Sequence, residues 1–167
     1  GRMSEGFSQR AVEVMDESGE VKSELVAILE MVAQANIVLA TGHLSSAEIY
    51  AVVDAALTVG VKKILVNHPE LWLIGMSIDD QIQLARKGAM LEVCLRSYTA
   101  PGVGQVSTRV IAEQIAALGP ENVVMATDYG QVDSPPAPQG MEWYIAQMIE
   151  HGIKEEDIKV MTRFNPC

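Results

Sequence analysis

A chain of 167 residues with 49% apolar and 20% charged residues holds enough hydrophobic material for one core-forming domain. It lacks the low hydrophobicity of a disordered chain and the unbroken apolar run of about 18 residues that a membrane span needs. With 12 Lys and Arg against 22 Asp and Glu the formal net charge is −10, which argues against a nucleic-acid or anionic-membrane surface, since phosphate binding needs clustered cations.

Residues 1–22 read as a connector. The alternation Ala11-Val12-Glu13-Val14-Met15 and the turn signal Asp16-Glu17-Ser18-Gly19 allow a small hairpin there. The polar start Gly1-Arg2-Met3-Ser4-Glu5-Gly6 has no apolar stretch of the signal-peptide kind. Because residue 1 is not Met, the chain is expected to begin after processing or cloning, or inside something longer. The two cysteines, Cys94 in an apolar run and Cys167 at the last position, signal neither a disulfide framework nor a thiolate zinc site, and a reducing, cytoplasmic setting fits them.

From residue 23 to residue 167 the pattern is that of one α/β domain. Leu25, Ile28, Leu29 and Val32 recur at helical spacing and predict a helix over 23–34. Four strand–helix units follow. Residues 37–40 form a buried strand, and the helix opening at Ser46 turns Ile49, Val52, Val53, Ala56 and Leu57 to one face. Residues 63–66 form the second strand, and Ser77 caps a helix with Ile78, Ile82 and Ala85 inward. Residues 90–95 form the third, a Gly/Pro loop runs from Ser97 to Val106, and Ser107 starts a helix with Val110, Ile111, Ile115 and Leu118 buried. Residues 123–126 form the fourth, followed by a Pro-rich loop and helices over 141–151 and 154–161. The repeat of roughly 25–35 residues is the size of a βα unit, so the sheet should be parallel, and its ligands should bind at the strand C-termini.

Three of those C-termini carry chemistry: His43, His68 and Asp128. Two neutral imidazoles and one carboxylate suit a borderline metal such as zinc, and three protein ligands with an open position describe a catalytic site. Asp128 could instead accept a proton from the attacking water. A single strand-end His or Asp is usually a loop cap or a satisfied polar group, but two of the three histidines at equivalent positions are harder to explain that way. His151, in the last turn of a helix, reads as structural. Glu92 lies within an apolar strand, and either points into the site as a base or ligand or pairs with a Lys or Arg outside the sheet. Arg96, Tyr98 and Tyr129 follow strands and could line a substrate pocket, Arg96 clamping an anion, or could be ordinary loop residues. The segment Gly102-Val103-Gly104-Gln105-Val106-Ser107 has only part of a phosphate-binding Gly loop.

The run Val38-Leu39-Ala40-Thr41-Gly42-His43-Leu44-Ser45, then Gly60-Val61-Lys62-Lys63-Ile64-Leu65-Val66-Asn67-His68-Pro69, then Ala126-Thr127-Asp128-Tyr129-Gly130, resembles the metal-dependent amidohydrolase superfamily across residues 23–166. The closing Arg163-Phe164-Asn165-Pro166 is similar to the segment after that family's last barrel helix. The resemblance implies a (β/α) barrel with one His at the end of strand 5, one at strand 6 and an Asp at strand 8. It makes His43, His68 and Asp128 ligands of a divalent metal, zinc before manganese or iron, with Asp128 also the catalytic base. The family's His-x-His on strand 1 and its strand 4 ligand have no counterpart, so the chain corresponds to strands 5–8, half a barrel. Such a half exposes two sheet edges and an inner face, which a missing N-terminal half or a second copy would cover.

The function expected from the resemblance is metal-dependent hydrolysis of an amide, ester or lactone bond in a small molecule. Two alternatives stand beside it. One is a non-catalytic half-barrel subunit. The other is an anion-binding domain of the open doubly wound type, without metal, using Arg96 and the 102–107 loop.

Overall fold

The four apolar runs pair as parallel strands: β1 Leu39–Ala40, β2 Ile64–Asn67, β3 Met90–Cys94 and β4 Val123–Ala126. The structure, a computed structural model, describes residues 12–100 and 107–167. Strands adjacent in sequence are adjacent in the sheet, in the order β1-β2-β3-β4. Among the described residues this order does not reverse, so the four strands show no switch point of the kind a doubly wound fold uses for its ligand.

Between the strands lie α1 Ser23–Ala35, α2 Ser46–Thr58, α3 Ile78–Arg86, α4 Arg96–Thr99, α5 Thr108–Leu118, α6 Ala137–Glu150 and α7 Glu155–Lys159. Local chemistry sets their starts. Ser45 and Glu48 form a reciprocal capping box at α2, and Ser77 and Ser107 accept backbone N–H groups at the starts of α3 and α5. The α6 helix begins earlier than the expected Met141, because Pro138 falls in its first turn, where a missing N–H costs nothing. The single turn α4 replaces the start of the loop expected from Ser97 onward, and the rest of that loop, 101–106, lies outside the described residues. At the C-terminus α7 is shorter than expected and widens into a π turn at Val160–Phe164. Asn165 Nδ2 ties that turn to the start of β4 by donating to the Val123 carbonyl at 2.6 Å.

Along the strands burial alternates. Ile64, Val66, Leu91, Val93, Val123 and Met125 are buried, packed in one core cluster with Leu29, Ile49, Val53, Leu84, Ile111, Ile115, Tyr144 and Met148 of the helices. The registers Ala40↔Leu65↔Met90 and Asn67↔Glu92↔Val124 place the intervening residues on the opposite face, where Leu65, Asn67, Met90, Glu92 and Val124 are only half-buried. Each fully buried Leu, Ile, Val or Met of the covered face contributes about 1.5–3 kcal/mol of transfer free energy, so the helical side carries the stability.

Three helical faces depart from the periodicity. In α3 the buried residues are Gln81 and Leu84, while Ile78 is 37% exposed. In α5 Val110 is turned out and Gln114 turned in. A hydrogen bond joins the two glutamines, Gln114 Nε2 donating to Gln81 Oε1 at 2.8 Å, and it makes polar burial tolerable on both helices. In α1 only Leu29 is fully buried, and Ile28 is exposed. The first strand is also shorter than expected, since Ile37 and Val38 have no ladder partner and are 55% exposed. In the connector, Met15 and Val21 form an antiparallel bridge around the turn closed by Asp16, as a small hairpin requires.

Candidate functional site

Parallel pairing brings the C-terminal ends of the strands to one rim, and the chain leaves three of them in the left-handed backbone region. Gly42 sits at φ +61°, His68 at +27° and Asp128 at +54°. A histidine in that conformation is uncommon, and strained backbone concentrates where a side chain must be aimed. The result is a stacked pair: the His43 and His68 rings lie 4.7 Å apart between centroids with 19° between their planes. His43 is exposed, and His68 is 7% exposed beneath it. His68 Nδ1 is sealed from solvent with no hydrogen-bond partner among the described residues. A buried ring nitrogen without a partner calls for one, and a metal ion or water suits it.

Behind the pair, Asn67 is the joint between two loops. Its Oδ1 accepts the Gly42 N–H at 2.9 Å, its own N–H donates to Thr41 Oγ1 at 3.3 Å, and its Nδ2 donates to Glu92 Oε2 at 2.7 Å. Glu92 therefore faces the uncovered side of the sheet and is held by β2, not by a Lys or Arg. Neither Asn67 nor Thr41 was a sequence candidate, because a short polar residue at a strand end carries no signal of its own.

Asp128 is exposed at the end of β4. Among the described residues no three His, Cys, Asp or Glu side chains gather into an ion-binding group. The histidines come together, and Asp128 stands outside their cluster. Acidity nevertheless accumulates along this rim. The Cys94 thiol is pushed well up, first by burial and then by the carboxylates of Glu92, Glu70 and Asp128. That thiol is a buried, unreactive group.

Other candidates are engaged elsewhere. Arg96 donates to Ser134 Oγ at 2.7 Å and pairs with Asp133 at 3.1 Å, so its guanidinium is held by the chain's own β4–α6 loop. Tyr98 is buried on the helical side and donates to Gln114 Oε1, its hydroxyl pushed well up by burial and by Glu70. Tyr129 packs on Gly140 and shares a hydrogen bond with Thr99 Oγ1 at 3.0 Å. His151 caps α6, its Nε2 2.8 Å from Thr108 Oγ1. The Gly-rich part of the 102–107 loop lies outside the described residues.

Glu70, two residues beyond His68, escaped sequence reasoning. Burial pushes its carboxyl up to about 7, opposed by backbone hydrogen bonds from its own N–H and that of Cys94, and more weakly by Ser97 and Gln114.

No helix among the described residues is long and apolar enough to cross a membrane. Neither the curated proteins nor the solved structures contain a match to the chain. The model of DUF6282, a family of unknown function, matches residues 2–92, more than half of the chain and the part that carries both β1 and β2 with His43 and His68. The chain belongs to the DUF6282 family.

Proposed function

We propose that the chain is half of a (β/α) barrel of amidohydrolase type and supplies part of the site of a metal-dependent hydrolase that cleaves an amide, ester or lactone bond of a small molecule. The observation that carries this is the His43–His68 stack at the ends of adjacent parallel strands, with His68 Nδ1 buried and unpartnered. Consecutive strand order supports the barrel, because right-handed crossovers between neighbouring parallel strands keep every helix on one face and leave the other free to curve inward. That inner face, with Leu65, Met90 and Val124 half-exposed, is completed by an N-terminal half or a second copy.

The two stacked imidazoles are donors suited to zinc, with manganese or iron as alternatives, and the completing half would supply the remaining ligands. A bound divalent ion supplies Lewis acidity, which polarises a substrate carbonyl and acidifies a water. His43 and His68 would hold the ion. Asn67 and Glu92 fix the two loops from which the histidines project. The exposed carboxylate of Asp128 at the end of β4 would accept a proton from the attacking water. Tyr129 and the Arg96–Asp133 pair, which follow β4 and β3, would border the substrate.

Zinc titration against a chromophoric chelator tests this reading. The wild-type chain should compete for zinc, and His43→Ala and His68→Ala should each weaken binding at least about tenfold. Equal competition by all three proteins would leave the stack as a packing feature. Screening amide, ester and lactone substrates with the zinc-loaded chain then reads the reaction class.

A further inference from the structure

The ladder between β2 and β3 lacks the rung that His68 would make. Along β2 the odd-numbered residues face β1, since Leu39 N–H donates to the Lys63 carbonyl at 2.9 Å and Thr41 N–H to the Leu65 carbonyl at 3.0 Å. The even-numbered residues therefore face β3, and the register Asn67↔Glu92 aligns the Cys94 N–H with the His68 carbonyl. That bond is not made. The His68 carbonyl accepts the Leu71 N–H at 2.9 Å instead, and His68 itself sits at φ +27°.

A side chain takes the Cys94 N–H that is left over. Glu70 Oε1 accepts it at 3.1 Å, in the role the His68 carbonyl would have had. A buried N–H without an acceptor costs stability, so this substitution lets the main chain turn out of the sheet at His68 while β3 stays satisfied. Ser97 and Gln114 hydrogen-bond the same carboxyl from α4 and α5. Beyond it the loop is closed by the Met76 N–H, which donates to the Pro69 carbonyl at 3.0 Å. The Glu70 side chain is therefore fixed to three elements, while its backbone lies two residues from His68.

We propose that Glu70 is the positioning residue of the His43–His68 pair: by standing in for the His68 carbonyl at Cys94, it holds His68 in the left-handed backbone conformation that brings its ring under His43. Asn67 braces the pair from the uncovered face of the sheet, and Glu70 does so from the helical face, where Gln114 meets it. The assignment rests on the hydrolase reading for its consequence, metal binding, and on the ladder geometry alone for the placement of the ring.

The test reads the imidazole rings directly, by proton–carbon correlation NMR of the full 167-residue chain at one pH, followed by zinc titration of the same proteins. His151, at the contact of α5 and α6, is the internal reference. Glu70→Leu keeps the bulk and removes the acceptor, and Glu70→Asp keeps the carboxylate but sets it one methylene short of Cys94. Both should move the His43 and His68 ring signals, leave those of His151 in place, and weaken zinc binding about tenfold. Glu70→Gln, whose amide oxygen can still accept the Cys94 N–H, should keep the wild-type ring signals and zinc affinity. Glu70→Asp decides the matter if Glu70→Leu fails to fold. Unmoved His43 and His68 signals in Glu70→Asp, equal movement of His151, or a Glu70→Gln as disturbed as Glu70→Asp would each overturn the proposal. Ring signals that move as stated, with zinc bound by none of the proteins, would count against the hydrolase reading and for the placement of His68 by Glu70.

Discussion

His43 lies stacked on His68, the exposed ring covering the buried one at 4.7 Å, although 25 residues separate them in the chain. Two parallel strands in register bring them together, and two positive-φ residues, Gly42 and His68, turn the chain at the rim. Nothing in the hydrophobic core requires this arrangement, since both residues lie beyond the strands that the core holds.

Asn67 should support that arrangement more than any other neutral residue. Asn67→Ala removes the acceptor of the Gly42 N–H and the donor to Glu92, and should cost about 1–2 kcal/mol in urea denaturation. It should also weaken zinc binding about tenfold, as loss of a supporting partner does at metal sites. Asn67→Asp, which sets a carboxylate against Glu92, should be worse on both measures. Unchanged zinc affinity in Asn67→Ala would show that the loops hold the histidines without it.

Asp128→Asn should leave folding intact, because Asn tolerates the left-handed conformation observed at φ +54°. If Asp128 is the base, turnover should fall by two or more orders of magnitude, about the worth of general base catalysis, while metal content changes little. Parallel losses of metal and turnover would make Asp128 a ligand instead.

Glu70 makes a prediction about pH. Its carboxyl titrates at about 7 in the folded chain against an ordinary 4.5, because burial disfavours the charged form. The folded state therefore binds the proton more tightly, and the sign follows. This contribution to stability is fully present below about pH 4.5, falls as pH rises, and is lost above about 7, a change of order 3 kcal/mol. Denaturation of wild type and Glu70→Gln at about pH 5 and about pH 8 isolates it, and the variant should lack that part of the slope. Identical slopes would mean that the carboxyl is not desolvated.

Gly140 is constrained by contact. A Cβ there would lie 2.4 Å from the Tyr129 ring, so Gly140→Ala must displace the ring and its hydrogen bond to Thr99. A loss of about 1–3 kcal/mol is expected, and Tyr129→Ala in the same chain should recover part of it. Additive losses would place the strain elsewhere.

The strands and their end residues were legible because a parallel strand buried by helices must be continuously apolar and stop where it meets the rim. Val66 to His68 and Met125 to Asp128 are such transitions. Helix faces were less legible where polar residues pair across the fold. Gln81 and Gln114 sit 33 positions apart, and only their hydrogen bond explains why Ile78 and Val110 face outward. The α4 turn was missed because four residues, Arg96 to Thr99, carry no helical period. Glu70 was missed for a related reason: its burial depends on Cys94 and on two helices that begin later in the chain.

Elemental mass spectrometry on the purified chain, run with its solution mass, tests the central claim most directly. The proposal predicts about one equivalent of zinc, manganese or iron per completed site, lost in His43→Ala and in His68→Ala, in an assembly larger than one chain. A monomer that takes up no more metal than a variant carrying both His43→Ala and His68→Ala, even after incubation with zinc, would contradict it.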